Sequence, residues 1–313
     1  MNRLLLKLAA LLSREDLHKL DRFIHSSLFL RDQGYVEHLH YFYWENQIDF
    51  WYKLPPPVRP SVADIVSYRK CIEQGGRIER LLILGATPEL RDLVVMLPPQ
   101  RPKIYLADFS YRLPLAMVRF MVHGDPAQET WVKGSWLDLP FPEGFFDVIL
   151  GDLVLQQFPP DLEPLFLEKM CAHLKAGGSF IGRFHFLDHK LQEETIPAIV
   201  SNVLSADLPD EAKFILLKLR ILWQFADFER RDLRRELSVK RFDEFMQQGA
   251  HPKILHDVRE SMRTDRDSFR SWSPPSEEEL LNILGRSFSL KERRAASDYR
   301  FAHYYPLFRL VPR

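Results

Sequence analysis

Apolar positions along this chain follow two different rhythms, and the change between them outlines the molecule. In the middle third, short apolar runs alternate with stretches of helical spacing. Leu81 to Leu84 is a strand-like run closed by Gly85, and Thr87-Pro88-Glu89 then supplies an N-cap, a first-turn proline and a first-turn acid, which predicts a helix start. Lys103 to Ala107 predicts a second strand ending at Asp108, Trp131-Val132 a third, and Phe146 to Leu150 a fourth ended by Gly151-Asp152. Leu162 to Leu174 has helical periodicity and is expected to stop at Gly177-Gly178, before a fifth strand from Ser179 to Phe184. Strands alternating with helices imply a mostly parallel α/β sheet with helices on both faces.

The flanks read as helical. Ser13 and Asp16 form a capping box ahead of Leu17, Leu20, Phe23 and Ile24, and residues 38–51 are dense in aromatic side chains before Pro55-Pro56-Pro57 breaks the chain. Ser61 and Asp64 form a second capping box, opening a helix through about Cys71. Residues 189–264 hold no convincing strand; Phe214 to Ala226 is apolar nearly all round, which predicts a buried helix. Ser276 and Glu279 cap a helix ending near Gly285, and Phe288 to Leu290 with Tyr305 to Val311 are two candidate closing strands. The expected organisation is an N-terminal helical lid (1–64), a cofactor-binding core (65–188), a helical insert on the substrate side (189–275) and a C-terminal helix with strands that complete the sheet (276–313).

Composition changes this picture only at its edges. Lys+Arg and Asp+Glu both number 43, so a uniformly basic nucleic-acid surface is not expected. In Glu229-Arg230-Arg231-Asp232-Leu233-Arg234-Arg235-Glu236 the acids alternate with the bases, as on a solvated, salt-bridged helix face. Cys71 and Cys171 are too far apart in sequence for a ligand cluster or a disulfide framework, so no metal is expected and a reducing cytoplasmic setting is the simplest reading. The apolar run Leu4 to Leu12 follows Arg3 but is interrupted by Lys7 and followed at once by Ser13-Arg14-Glu15-Asp16, which favours an amphipathic helix over a secretory signal or a membrane span.

The candidate chemistry lies at the strand ends, where open α/β sheets bind their ligands. Gly85 permits a tight turn after the first strand, and the helix start at Thr87 offers amide donors to a carboxylate. Asp108 lies 23 residues beyond Gly85, where a carboxylate can accept from both hydroxyls of a ribose. Ser135 and Trp136, beyond the third strand, offer a polar atom and an aromatic face to a base. Each has a plain structural reading too: a turn glycine, a helix cap, core filling.

The series Leu81-Leu82-Ile83-Leu84-Gly85, Ala107-Asp108, Gly134 to Leu150 and Leu174-Lys175-Ala176-Gly177-Gly178-Ser179-Phe180 resembles the motifs of class I S-adenosylmethionine-dependent methyltransferases over residues 78–186. Its most specific part, Gly134-Ser135-Trp136-Leu137-Asp138-Leu139-Pro140-Phe141 through Phe146-Asp147-Val148, is similar to that family's Gly-Asp-x-x-x-Leu-Pro-Phe-x-x-x-x-Phe-Asp-x-Val pattern without a gap. The resemblance implies a Rossmann-like, doubly wound seven-stranded sheet with its last strand antiparallel. It implies S-adenosylmethionine as cofactor, with contacts from Gly85, Thr87, Asp108, Phe109, Ser135, Trp136 and Gly151. It also places Asp152 at the reaction centre as a candidate base, beside a second candidate, His185. Three departures stand out. Ile83 replaces the usual acid before the first glycine, and Gly85-Ala86-Thr87-Pro88-Glu89 keeps one glycine where the family has a Gly-x-Gly-x-Gly loop; Ser135 replaces the acid that often holds the adenine amino group.

The same loop separates cofactors. Pro88 and Glu89 would crowd and repel a pyrophosphate, whereas S-adenosylmethionine carries no phosphate and is cationic. The reading is therefore a methyltransferase acting on a small organic molecule, with lid and insert excluding water. Alternatives from other classes are a non-catalytic binding module of the same fold, a methyltransferase acting on RNA or protein, and a dinucleotide oxidoreductase.

Overall fold

The computed structural model describes residues 48–97, 102–264 and 273–313. The helices expected in the N-terminal segment and most of the aromatic segment lie outside the described residues. The chain divides into two compact units. In described residues, the first comprises 48–51, Pro56–Phe184 and Asn282–Arg313, and the second Tyr52–Pro55 and His185–Leu281.

The first unit is built on seven strands: β1 (Arg80–Leu84), β2 (Lys103–Asp108), β3 (Glu129–Lys133), β4 (Phe146–Asp152), β5 (Leu174–Arg183), β6 (Phe288–Arg294) and β7 (Leu307–Pro312). They form one sheet in the order β3-β2-β1-β4-β5-β7-β6, parallel from β3 to β5, with β7 antiparallel to both its neighbours. This is a Rossmann-like, mostly parallel seven-stranded sheet. Its helices are α1 (Val62–Glu73), α2 (Pro88–Val95), α3 (Arg112–Met117) and α4 (Glu163–His173).

The expected elements form for the expected reasons. Ser61 accepts from the Asp64 amide while Asp64 accepts from the Ser61 amide, the capping box that opens α1. Alternation along β1 sends Leu81 and Ile83 into a core with Tyr68, Cys71 and Ile72 of α1 and Leu90, Leu93 and Val94 of α2. An aromatic core of Phe166, Phe180, Phe184, Phe288 and Phe308 joins α4 to β5, β6 and β7. One expectation needs correction. Helix α4 ends at His173, and Gly177 and Gly178 lie inside β5. Gly177 has φ +79°, and a Cβ on Gly178 would come 3.0 Å from backbone oxygens of Asp147 and Lys175. The two glycines therefore serve an irregular strand pairing, where the β4–β5 register shifts between Phe146 and Val148.

The second unit is helical: α5 (Ile196–Leu204), α6 (Asp210–Gln224), α7 (Arg235–Met246) and α8 (Lys253–Thr264), followed by α9 (Glu277–Leu284), whose last residues belong to the first unit. Its core joins Ile199 and Val203 of α5 to Leu217 and Ile221 of α6, Phe242 of α7, and Leu255 and Val258 of α8. Helix α6 is less enclosed than its composition predicts, because Phe214, Leu216 and Trp223 remain half-buried. The mixed-charge run is also only partly a solvated face: all but its last two residues precede α7, and Arg231 within it is buried, donating to the Ser273 carbonyl at 3.1 Å. Among the described residues no helix is long and apolar enough to cross a membrane.

A buried ion pair ties α2 to the sheet edge. Arg91 Nε and Nη2 lie 2.9 and 2.7 Å from the two carboxylate oxygens of Glu129, with both side chains almost fully buried. Removing one partner leaves an uncompensated charge in the interior. Glu129→Ala is expected to lower stability by about 3–5 kcal/mol, read as a shift in the urea unfolding midpoint; a change within ordinary surface-mutation scatter would contradict the assignment.

Candidate functional site

The strand order reverses beside β1, with β2 on one side and β4 on the other, so the carboxyl ends of β1, β2 and β4 border the crevice where this fold takes ligands. Gly85 ends β1 at φ +84°, a left-handed turn that a side chain would strain. Its amide donates to the Ala107 carbonyl at 2.9 Å. The same carbonyl accepts from Trp136 Nε1 at 2.9 Å, and a Cβ on Gly85 would meet the Trp136 ring at 3.6 Å. The half-buried indole thus spans from the end of β2 to the end of β1, with Phe158 and Phe166 as aromatic neighbours.

Asp108 is buried at the end of β2, and one of its oxygens accepts from the Ser110 amide at 3.0 Å. Phe109, next to it, is half-buried. The Ser135 hydroxyl accepts from the Leu137 amide at 3.2 Å, shaping the turn after β3. These residues share one end of the sheet, as the strand-end argument requires.

Thr87 stands at the N-cap of α2 without capping through its side chain. The amides expected to serve a ligand there are partly spent. Pro88 has no N–H, and Glu89's own amide helps hold its carboxylate. Trp51 Nε1 lies 3.1 and 3.3 Å from the two Glu89 oxygens, and Arg59 Nη1 lies 3.3 Å from one of them. Burial raises the Glu89 carboxyl above its usual range, against the opposing pull of Arg59 and Trp51.

At the ends of β4 and β5, Asp152 and Arg183 are register partners on adjacent parallel strands. Arg183 Nε and Nη2 donate to Asp152 Oδ1 and Oδ2 at 2.6 and 2.9 Å, Nη1 donates to Asp64 Oδ2 at 3.0 Å, and Nη2 also donates to the Pro57 carbonyl at 3.0 Å. The Tyr68 hydroxyl donates to the Gly151 carbonyl at 2.7 Å and accepts from the Arg183 amide at 3.0 Å. Burial alone would lower the Arg183 pKa, but Asp152 and Asp64 hold it well above its ordinary value; Asp64 itself is raised, by burial first.

This geometry changes the part Asp152 can play. Both of its oxygens are held by one guanidinium. The residue expected to be a base is a member of a buried ion cluster. Gly151 has a packing reason for its identity, since a Cβ there would come 2.8 Å from Val154. His185 belongs to the second unit, buried with its ring 5.1 Å from that of Trp223. Among the described residues no group of His, Cys, Asp or Glu side chains could hold a metal ion.

Sequence reasoning missed Arg59, Tyr68 and Tyr299 as neighbours of the strand ends, while Trp51 belongs to the aromatic segment expected there. Arg183 had a usable signal: a charged residue ending an apolar strand needs a partner, and the adjacent strand ends in Asp152.

No family model and no curated protein matches the chain. Solved structures do. A Rhodobacter sphaeroides protein provisionally assigned as a Zn-dependent alcohol dehydrogenase is 15% identical, with 89% of this chain and 98% of that one covered at a TM-score of 0.53. The 1,6-didemethyltoxoflavin-N1-methyltransferase of Burkholderia thailandensis, solved with 1,6-didemethyltoxoflavin and S-adenosylhomocysteine, is 12% identical, covering 88% and 87% at 0.49. The N-methyltransferase NodS of Bradyrhizobium japonicum, in complex with S-adenosylhomocysteine, is 12% identical, covering 82% and 91% at 0.42. At such identities likeness bears on the fold alone, and the activity must be argued from the site.

The burial of Glu89 has a pH consequence. Its folded-state pKa is raised, so the protonated form is favoured by folding. That contribution is fully present below the unfolded value of about 4.3 and is lost as pH rises through the folded value. Glu89→Gln should therefore gain on the wild type in urea midpoint as pH is raised from about 4 to 7. A midpoint difference that stays flat across this range would contradict the burial argument.

Proposed function

We propose that the chain is an S-adenosylmethionine-dependent methyltransferase acting on a small organic molecule. The observation that carries the reading is the charge and shape of one sheet end. Gly85 opens a backbone turn and Asp108 ends the next strand, while three carboxylates (Asp64, Glu89, Asp152) face two guanidiniums (Arg59, Arg183). Carboxylate exceeds guanidinium at this end, and burial raises both Asp64 and Glu89. A cationic ligand is the natural complement, and a pyrophosphate is not.

These residues fit the group. Asp108 would hold the ribose, the Gly85 turn would let the ligand approach the backbone, and Glu89 with its neighbours would face the cationic end. When bound, the cofactor supplies an electrophilic methyl group on sulfur. Arg183 fixes the end of β4 through Asp152 and Tyr68, so the chain's contribution is positioning. The balanced charge of the whole chain supports an uncharged or small acceptor over a polyanion. The engagement of both Asp152 oxygens favours one second reading, a module that binds the cofactor without transferring its methyl group.

Two measurements test this. Calorimetry should show binding of S-adenosylhomocysteine and none of NAD, and Asp108→Ala should weaken it at least about tenfold in a folded protein, from the loss of charge-assisted hydrogen bonds. NAD binding alone would refute the reading, and an unchanged dissociation constant in Asp108→Ala would remove the ribose assignment. Transfer of labelled methyl from S-adenosylmethionine to a panel of metabolites separates enzyme from module.

A further inference from the structure

The arginines of the first unit are not used alike. Arg91 gives two nitrogens to Glu129, at 2.9 and 2.7 Å, and a third to the Pro114 carbonyl at 2.9 Å. Arg183 gives its fork to Asp152 and spends its remaining donors on Asp64 and Pro57. Each engages all three of its nitrogens and turns two of them to the two oxygens of one carboxylate. Arg59 is different. Its ion pair with Glu89 is a single 3.3 Å contact, its Nε is buried without a hydrogen-bond partner, and a third of its side chain (34%) remains exposed. A guanidinium placed only to neutralise Glu89 would turn its fork toward both oxygens, as the other two do.

The backbone is held on both sides of Arg59. The Pro57 carbonyl is held by Arg183 on one side, and Ser61 begins the α1 capping box on the other. Glu89 is oriented too, since the Trp51 indole N–H lies within reach of both its oxygens and Trp51 is buried. A carboxylate has about four acceptor positions, so the described contacts leave Glu89 capacity for another donor. Fixed side by side at the end of β1 are thus a cation with unused donors and an anion with unused acceptor capacity.

We infer that Arg59 and Glu89 form a reader for a zwitterionic α-amino acid group: Arg59 takes the carboxylate through its unused donors, and Glu89 takes the ammonium. This deepens the proposed function and rests on it, because the adenosyl cofactor ends in such a group. It also accounts for the altered loop. With Pro88 lacking an N–H and Glu89 sitting at the helix start, α2 is poorly suited to hold a carboxylate by its amides, and Arg59 supplies the charge instead.

The test uses two ligands that share the adenosyl thioether. S-adenosylhomocysteine carries the amino acid group; 5′-methylthioadenosine does not. The wild-type chain should bind the first at least about tenfold more tightly, equivalent to about 1.4 kcal/mol. Arg59→Met should cost S-adenosylhomocysteine about tenfold or more while 5′-methylthioadenosine stays within about twofold. Glu89→Gln should act in the same sense, by less, because the amide still accepts a hydrogen bond. Arg59→Lys keeps the charge without the fork and should fall between wild type and Arg59→Met; thermal melts confirm that each variant is folded, and the lysine variant carries the test where methionine does not fold. Equal losses for both ligands would assign Arg59 to structure alone and overturn the inference, as would unchanged S-adenosylhomocysteine affinity. If neither ligand binds the wild type, the cofactor reading itself fails and takes this one with it, a pattern distinct from the other two.

Discussion

The buried guanidinium of Arg183 is the constraint around which the ligand end of the first unit is arranged. A fully buried positive charge must be matched by anions and hydrogen-bond acceptors or the fold cannot keep it. The chain meets that demand from distant places: Asp152 from β4, Asp64 from α1, the Pro57 carbonyl from the segment before α1, and the Tyr299 hydroxyl, 3.4 Å from Nη1, from the segment before β7. Tyr68 couples the cluster to the β4 backbone through Gly151. One side chain therefore fixes where four segments meet, beside the point where strand order reverses.

That arrangement distributes roles among groups that composition alone would treat as equivalent. Asp152 is consumed by Arg183, so its charge stabilises and positions. Asp64 serves both the α1 cap and the guanidinium. Glu89 is held more loosely, by an indole and one arginine nitrogen. Its contacts are longer than those that hold Asp152 and Asp64 to Arg183.

The crevice also carries an aromatic boundary. The Trp136 indole lies on the open face of Gly85 and is anchored to the Ala107 carbonyl, which Gly85 shares. The single glycine of the altered loop is therefore required twice: for its left-handed backbone and because an aromatic ring packs beside it. The two missing glycines of the family pattern are replaced here by Thr87 and Glu89, a change of chemistry in the same place.

By itself the sequence determined the elements and their order. Apolar runs that close at Gly85, Asp108 and Gly151-Asp152, with helical periodicity between them, can bury their faces only in a doubly wound sheet, and local signals such as the Ser61–Asp64 capping box act over a few residues and are legible there. It also carried Gly85, Asp108, Ser135 and Trp136 to one end of the sheet, because strand ends share an edge whenever the strands are parallel. The tertiary structure alone decided what each charge faces. Asp152 reads in sequence as an acid ending a strand, free to act as a base; its pairing with Arg183 depends on β4 and β5 being neighbours in register, and Asp64 and Pro57 join only once α1 has packed. Gly177 and Gly178 read as a helix stop because helix and strand compete locally for Leu174, and the pairing with β4 decides for the strand. Arg59 could not be singled out at all, since whether an arginine's donors are spent is a property of the acceptors folding brings around it, and none of those acceptors is its neighbour in the chain.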